Sequence, residues 1–217
     1  MFRMLRPRAH FPSRRTRPKP ACRAGTRVTV MEIPGLGTVE DDGDSYVSDP
    51  VTVRVLGDAE CQFSVVGYDD DDAREDFHTA ISAFLALDTS VLHASAPSVF
   101  SYYQDVRSRL AELGADHVEA IDGPDDVWDH VEFGWEVTVE RDWSGDRQVC
   151  LSIASSCAWE QEHGLQIVFR GGRSVTKVGP FDGHLSNASA YGRDDLADVV
   201  YHRARTVTGE SPGRPTH

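Results

Sequence analysis

Between Cys157 and His184 the chain gathers more groups able to do chemistry than in any other stretch of its length. The run Cys157-Ala158-Trp159-Glu160-Gln161-Glu162-His163-Gly164-Leu165 is followed, after a short gap, by Gly179-Pro180-Phe181-Asp182-Gly183-His184. Two imidazoles and a carboxylate, His163, Asp182 and His184, are ligand types that suit zinc or another divalent transition metal. A metal with an open position activates water, and Glu160 or Glu162 would then be the general base of a metal-dependent hydrolase. The same residues also read as a buried hydrogen-bonded network, with Asp182 accepting from a histidine or from turn amides. The order H-E-x-x-H is missing, so no zinc-hydrolase signature is met. Cys157 and His163 are the types needed for a nucleophile and its base, although an isolated cysteine is more often a small buried hydrophobe. No G-x-S-x-G elbow, phosphate loop or dinucleotide fingerprint occurs.

A hairpin would have to bring these groups together. Leu165, Ile167 and Phe169 alternate as one strand, Val175 to Gly179 as another, and Gly171-Gly172 between them is a two-residue turn signal. With those glycines at the turn, Val168 faces Val175 and Leu165 faces Val178. Leu165, Ile167, Phe169 and Val178 then share the core side, and Gln166, Arg170, Arg173 and Lys177 the outer side. Extended past Pro180, the same register sets His163 opposite Pro180, Gln161 opposite Asp182 and Trp159 opposite His184. That gathers His163, Asp182 and His184 at the open end of the hairpin.

Upstream, Val51, Val53 and Val55 alternate, as does Cys61 to Val65, with Gly57-Asp58 between them, which predicts a β-hairpin. The stretch before it, including the acidic cluster Glu40 to Asp44, reads as a loop. Asp69 to Asp72 precede an apolar stripe of Phe77, Ile81, Phe84 and Leu85. They are expected to cap that helix, where orphan N–H groups favour negative charge. A second helix is expected from Ser95, with Pro97 in its first turn, a stripe of Phe100, Tyr103, Val106, Leu110 and Leu113, and Gly114 at its end. From Val131 the period changes to two, through Phe133, Trp135, Val137 and Val139. Val149, Leu151 and Ile153 follow as a further strand, and Asp195 to Arg205 as a weak helix. The fold class is therefore α+β: an antiparallel β-meander with an N-terminal β-hairpin and two packed α-helices.

Charge divides the chain unevenly. Residues 1–30 hold nine Lys or Arg and no Asp or Glu, whereas residues 31–217 hold 13 against 35, a balance of −22. Residues 1–30 read as a disordered Arg/Pro-rich leader, or as sequence ahead of a translation start at Met31. A basic arm that binds nucleic acid is the functional alternative. Residues 31–208 are expected to form one domain and residues 209–217 a disordered tail. The acidic body repels nucleic acid and anionic membranes and attracts a basic protein. No apolar run reaches the roughly 18 residues of a membrane helix. The four cysteines, Cys22, Cys61, Cys150 and Cys157, form no disulfide framework, which fits a cytoplasmic protein.

The run Cys157-x-Trp159-Glu160-x-Glu162-His163-Gly164-Leu165, with Val178-Gly179-x-x-Asp182 after it, resembles the signature of a bacterial domain family of unknown function. Members of that family carry a W-(D/E)-x-E-H-G-L core near the C-terminal end. The upstream hairpin and the Tyr102-Tyr103 pair are similar too, and the likeness spans residues 35 to 190. The resemblance implies a cytoplasmic bacterial protein and assigns no catalytic residue. Trp159, Glu160, Glu162, His163, Asp182 and His184 are thus the candidate cluster, either a site or a folding signature. The function expected is a non-catalytic protein-interaction module, of the kind seen in small acidic immunity proteins, with the hydrolase as the alternative.

Overall fold

The computed structural model describes residues 29–114 and 119–203. The readings of residues 1–28, 115–118 and 204–217 lie outside those residues. The strands are β1 (Val30–Ile33), β2 (Gly37–Asp41), β3 (Ser45–Ser48), β4 (Val51–Val53), β5 (Ala59–Val66), β6 (Val131–Arg141), β7 (Val149–Cys157), β8 (Glu160–Arg170) and β9 (Ser174–Gly179). The helices are α1 (Arg74–Leu85), α2 (Ser90–Glu112) and the short α3 (Asn187–Tyr191). All strands join one sheet in the order β1-β2-β3-β5-β6-β7-β8-β9, with β4 also paired to β5. Every pairing is antiparallel except β5 with β6. A parallel pair needs a crossover, and α1 and α2 supply it. The fold is α+β, as expected.

Both long helices bury their apolar stripes against the same side of the sheet. Phe77, Ala80, Ile81 and Phe84 of α1 are buried, and the Phe84 ring meets Phe63 of β5 and Phe169 of β8 edge-on. Tyr102 and Tyr103 of α2 close on Trp159. These residues form one continuous core with Val65, Val137, Val139, Leu151, Ile153, Leu165, Ile167 and Val178. The other face of β7–β9 is covered by residues 180–200, where Leu185 packs on Cys150 and Val168 as a separate small cluster.

Several expectations need correction. The stretch before β4 is three strands, β1 to β3, rather than a loop. Each is only four or five residues long, and the Gly and Asp residues between them mask the alternation of Met31 and Ile33. Helix α2 begins at Ser90, where Asp88 Oδ1 accepts the Ser90 N–H at 2.9 Å, and Pro97 lies inside it. Gly114 ends it in the left-handed region, with φ of +76°, as predicted. The expected weak helix at Asp195 is only a 3-10 turn, Asp194–Leu196. Strand β6 departs from simple alternation at a bulge between Phe133 and Val137, which lifts Trp135 out to 59% exposure.

The four carboxylates before α1 do not cap it in the expected way. Asp71 is buried, accepts the Ala73 N–H at 2.8 Å, and takes two hydrogen bonds from Arg141 at the end of β6. Arg141 also binds Asp76 at 2.9 Å and lies over the Phe77 ring. A charge needed locally at a helix end is thus held by a residue 70 positions away. The β8–β9 turn is equally constrained, because a Cβ on Gly172, at φ of +65°, would collide with the Ala80 carbonyl of α1.

Arg141 holds the Asp71 carboxyl below its usual range. The stability this adds is complete above the unfolded carboxyl pKa of about 3.9 and fades as pH falls through the lower folded value. Asp71→Asn is expected to cost about 2 kcal/mol at neutral pH and to flatten the acid limb of the stability curve. Urea denaturation across pH 2–7 checks both.

Candidate functional site

The structure sorts the Trp159–His184 residues onto opposite sides of the sheet. Trp159 is buried between Tyr102 and Tyr103, with ring centroids 6.1 and 5.9 Å away at steep angles. Glu160 turns its Oε1 onto the backbone, accepting the N–H of Glu162 at 2.9 Å and of His163 at 3.4 Å. Glu162 is exposed. The His163 side chain is 52% exposed, with Nδ1 3.9 Å from Glu160 Oε1. Gly164, at φ of +61°, passes too close to the Ser155 carbonyl for any Cβ, and its own carbonyl accepts from Tyr102 at 3.0 Å. Leu165 is core. The Trp-Glu-x-Glu-His-Gly-Leu run therefore fixes how strand β8 starts beneath α2.

Cys157 is buried, and its thiol donates to the Glu160 carbonyl at 3.4 Å. Burial pushes that thiol up to about 11. A thiol so protonated at neutral pH is a poor nucleophile, so the Cys157–His163 pairing gains nothing from the geometry.

The register drawn from a two-residue turn is corrected. Arg170 pairs with Ser174, leaving Gly171, Gly172 and Arg173 as a three-residue loop, and a bulge follows beside Val168. Ile167 then pairs with Val178, and the ladder stops at Gln166 with Gly179. The chain still runs beside β8 briefly, since Phe181 N–H donates to the His163 carbonyl at 3.1 Å. Asp182, however, meets Lys177 on the other face of the sheet. His163, Asp182 and His184 are not brought together. Among the described residues no three His, Cys, Asp or Glu side chains are grouped as metal ligands.

Asp182 and His184 take part in a different network. Lys177, only 2% exposed, donates to Asp182, to Gln166 Oε1 at 2.9 Å and to the His184 carbonyl at 2.8 Å. Gln166 donates onward to Ser152 at 3.0 Å, and the His184 N–H returns to Asp182 at 2.9 Å. The three ammonium donors are satisfied. Burial pulls the Lys177 ammonium below its ordinary range, while Asp182 opposes that shift. The near-continuous apolar run Leu165-Gln166-Ile167-Val168-Phe169 is the available signal that β8 is covered on both faces and that Gln166 and Lys177 do not face solvent. The network ties residues 182–184 to the sheet.

Among the described residues nothing packs over the second face of β1 to β6, whose outward side chains are partly or fully exposed. Strand pairing places six glutamates there: Glu32, Glu40, Glu60, Glu132, Glu136 and Glu140. Their neighbours are Thr38, Ser45, Thr52, Gln62, Ser64 and Thr138, with three valines, Val30, Val47 and Val66. Thr38 donates to Glu32 at 2.6 Å, and Ser64 donates to Ser45 at 2.8 Å. None of the six glutamates forms an ion pair among the described residues. Partial burial, with Asp142 nearby, pushes the Glu140 carboxyl up. The alternation of β6 already sets Glu132, Glu136 and Glu140 apart from the core residues, but Glu32 and Glu40 lie on the short strands β1 and β2 that read as a loop, and only strand pairing joins them and Glu60 to the others.

A mixed sheet with both long helices packed on one side defines an α+β domain. Over residues 35–185 the chain matches the family described as a domain of unknown function (DUF6985), and it belongs to that family. No curated protein and no solved structure matches it.

Trp159→Ala removes the ring between two tyrosines and is expected to cost about 4 kcal/mol. His163→Ala should stay within about 0.5 kcal/mol of the parent. Chemical denaturation of both variants separates the folding role of the signature from any other. A large loss for His163→Ala would contradict this placement.

Proposed function

We propose that the chain is a non-catalytic protein-interaction module that docks a basic protein on the open glutamate face of its sheet. The observation that carries this reading is the unpaired state of those six glutamates among the described residues, on a face with no Lys or Arg between β1 and β6. Like charges gathered on a flat surface disfavour the folded state, so the fold itself gains nothing from them. A cationic partner removes that repulsion. No helix among the described residues is long and apolar enough to cross a membrane, which adds nothing against a protein partner.

The size of the face sets the kind of binding. Four strand spacings of about 4.8 Å and strands of about five residues give roughly 19 by 17 Å, or about 320 Å². That is under half of one partner's share in a standard interface, about 800 Å². Attraction there is electrostatic, fast and salt-sensitive rather than tight.

An oligo-arginine peptide is the probe. Three exposed ion pairs, each worth about 0.5 kcal/mol, correspond to roughly a tenfold affinity loss when Glu40→Gln, Glu136→Gln and Glu140→Gln are combined. Neutralising Asp122, Asp125 and Asp126, exposed beside α2, should change affinity little. Calorimetry at low salt makes the comparison. Equal losses in the two variants would mean that net charge alone draws the peptide, and the docking face would be abandoned.

A further inference from the structure

The glutamate face has a candidate occupant within the same polypeptide. Residues 1–28 carry nine Lys or Arg and no acidic residue, and they join the sheet at its edge strand β1. Thr29 is already held there, its carbonyl accepting the Asp41 N–H at 2.9 Å. The side chain of Val30, the first residue of β1, lies on the glutamate face, since Val30 pairs with Glu40. We propose that the Arg-rich segment, residues 1–28, docks back across the glutamate face and competes there with any basic partner. This rests on the docking reading above and adds its regulation.

Length permits it. Twenty-eight residues span up to roughly 90 Å when extended, several times the roughly 19 Å from β1 to β6. A segment tethered at the edge of the face also has a high effective concentration at the surface, so weak ion pairs suffice to hold it. Charge is complementary throughout: nine cationic side chains meet six glutamates that lack cations among the described residues. Arginine, which supplies eight of the nine, is the cation best fitted to carboxylate pairing, through its planar fork of donors. The helix side offers no equivalent flat acidic face, because α1 and α2 occupy it. A basic partner must then displace the segment, which sets a threshold of charge and concentration that casual cations do not pass.

Cys22 lies inside the segment, whereas Cys61, Cys150 and Cys157 are buried. A nitroxide attached to Cys22 in the full chain therefore reports the segment's position through broadening of backbone amide signals. The expected result is broadening confined to β1–β6. It should be lost in Arg14→Gln/Arg15→Gln/Arg17→Gln and in Glu40→Gln/Glu136→Gln/Glu140→Gln, and at about 0.5 M salt, where the screening length is near 4 Å. Addition of the oligo-arginine peptide should relieve it as well. Broadening that is absent, or spread over α1 and α2, overturns the proposal. If the peptide binds the face while the label never reaches it, the intramolecular occupant is wrong and the docking reading stands. If the peptide does not bind the face either, both fall.

Discussion

A sheet this wide has two faces to satisfy, and the chain supplies long helices to only one. α1 and α2 form the crossover of the single parallel pair, β5 with β6, and so must lie together on one side. Large buried rings gather under them, among them Phe63, Phe77, Phe84, Tyr103, Trp159 and Phe169. The opposite face is left to a shorter covering, residues 180–200, which reaches β7, β8 and β9 and is pinned by Lys177. Beyond β7 nothing among the described residues covers the sheet. The residues found there are mostly polar, with Val30, Val47 and Val66 among them, and the charged ones are all of one sign. Solubility alone calls for mixed charges.

Helix-scale features are legible in the sequence. The stripes of α1 and α2 and the hairpin around Gly57 rest on local periodicity that tertiary contacts reinforce. Legibility fails where a distant residue decides. Asp71 looks like a helix cap until Arg141 arrives from β6. Pro97 looks like a helix start because the Asp88-Thr89-Ser90 signal upstream is weaker than a proline. The strands β1 to β3 are too short for their alternation to outweigh the turn residues between them.

The candidate site shows the same division. The Trp159–Leu165 run lies within the residues that match the family. Its role follows from long-range packing, with Trp159 between two α2 tyrosines and Gly164 against Ser155. The metal-ligand geometry depended on a register that a single extra loop residue, Arg173, and a bulge at Val168 shift. The combined shift of two residues leaves each side chain on its expected face, but the ladder ends at Gln166 with Gly179, and the chain past Pro180 carries Asp182 to Lys177 on the far face. The glutamate face was invisible for a related reason: its members are spread over more than 100 residues and are united only by strand pairing.

The central claim is that those glutamates serve binding rather than folding. Residues kept for function at the expense of stability reveal themselves when replaced. The direct measurement is the thermal midpoint of Glu40→Gln/Glu136→Gln/Glu140→Gln against its parent, both in a chain that starts at Thr29 so that no basic segment can neutralise the face, at low and at high salt. Relief of repulsion predicts that the variant melts about 3 °C higher at low salt, with the gap closing as salt screens the charges. A variant that melts lower at low salt would show that the glutamates hold the sheet together, and the docking face would lose its foundation.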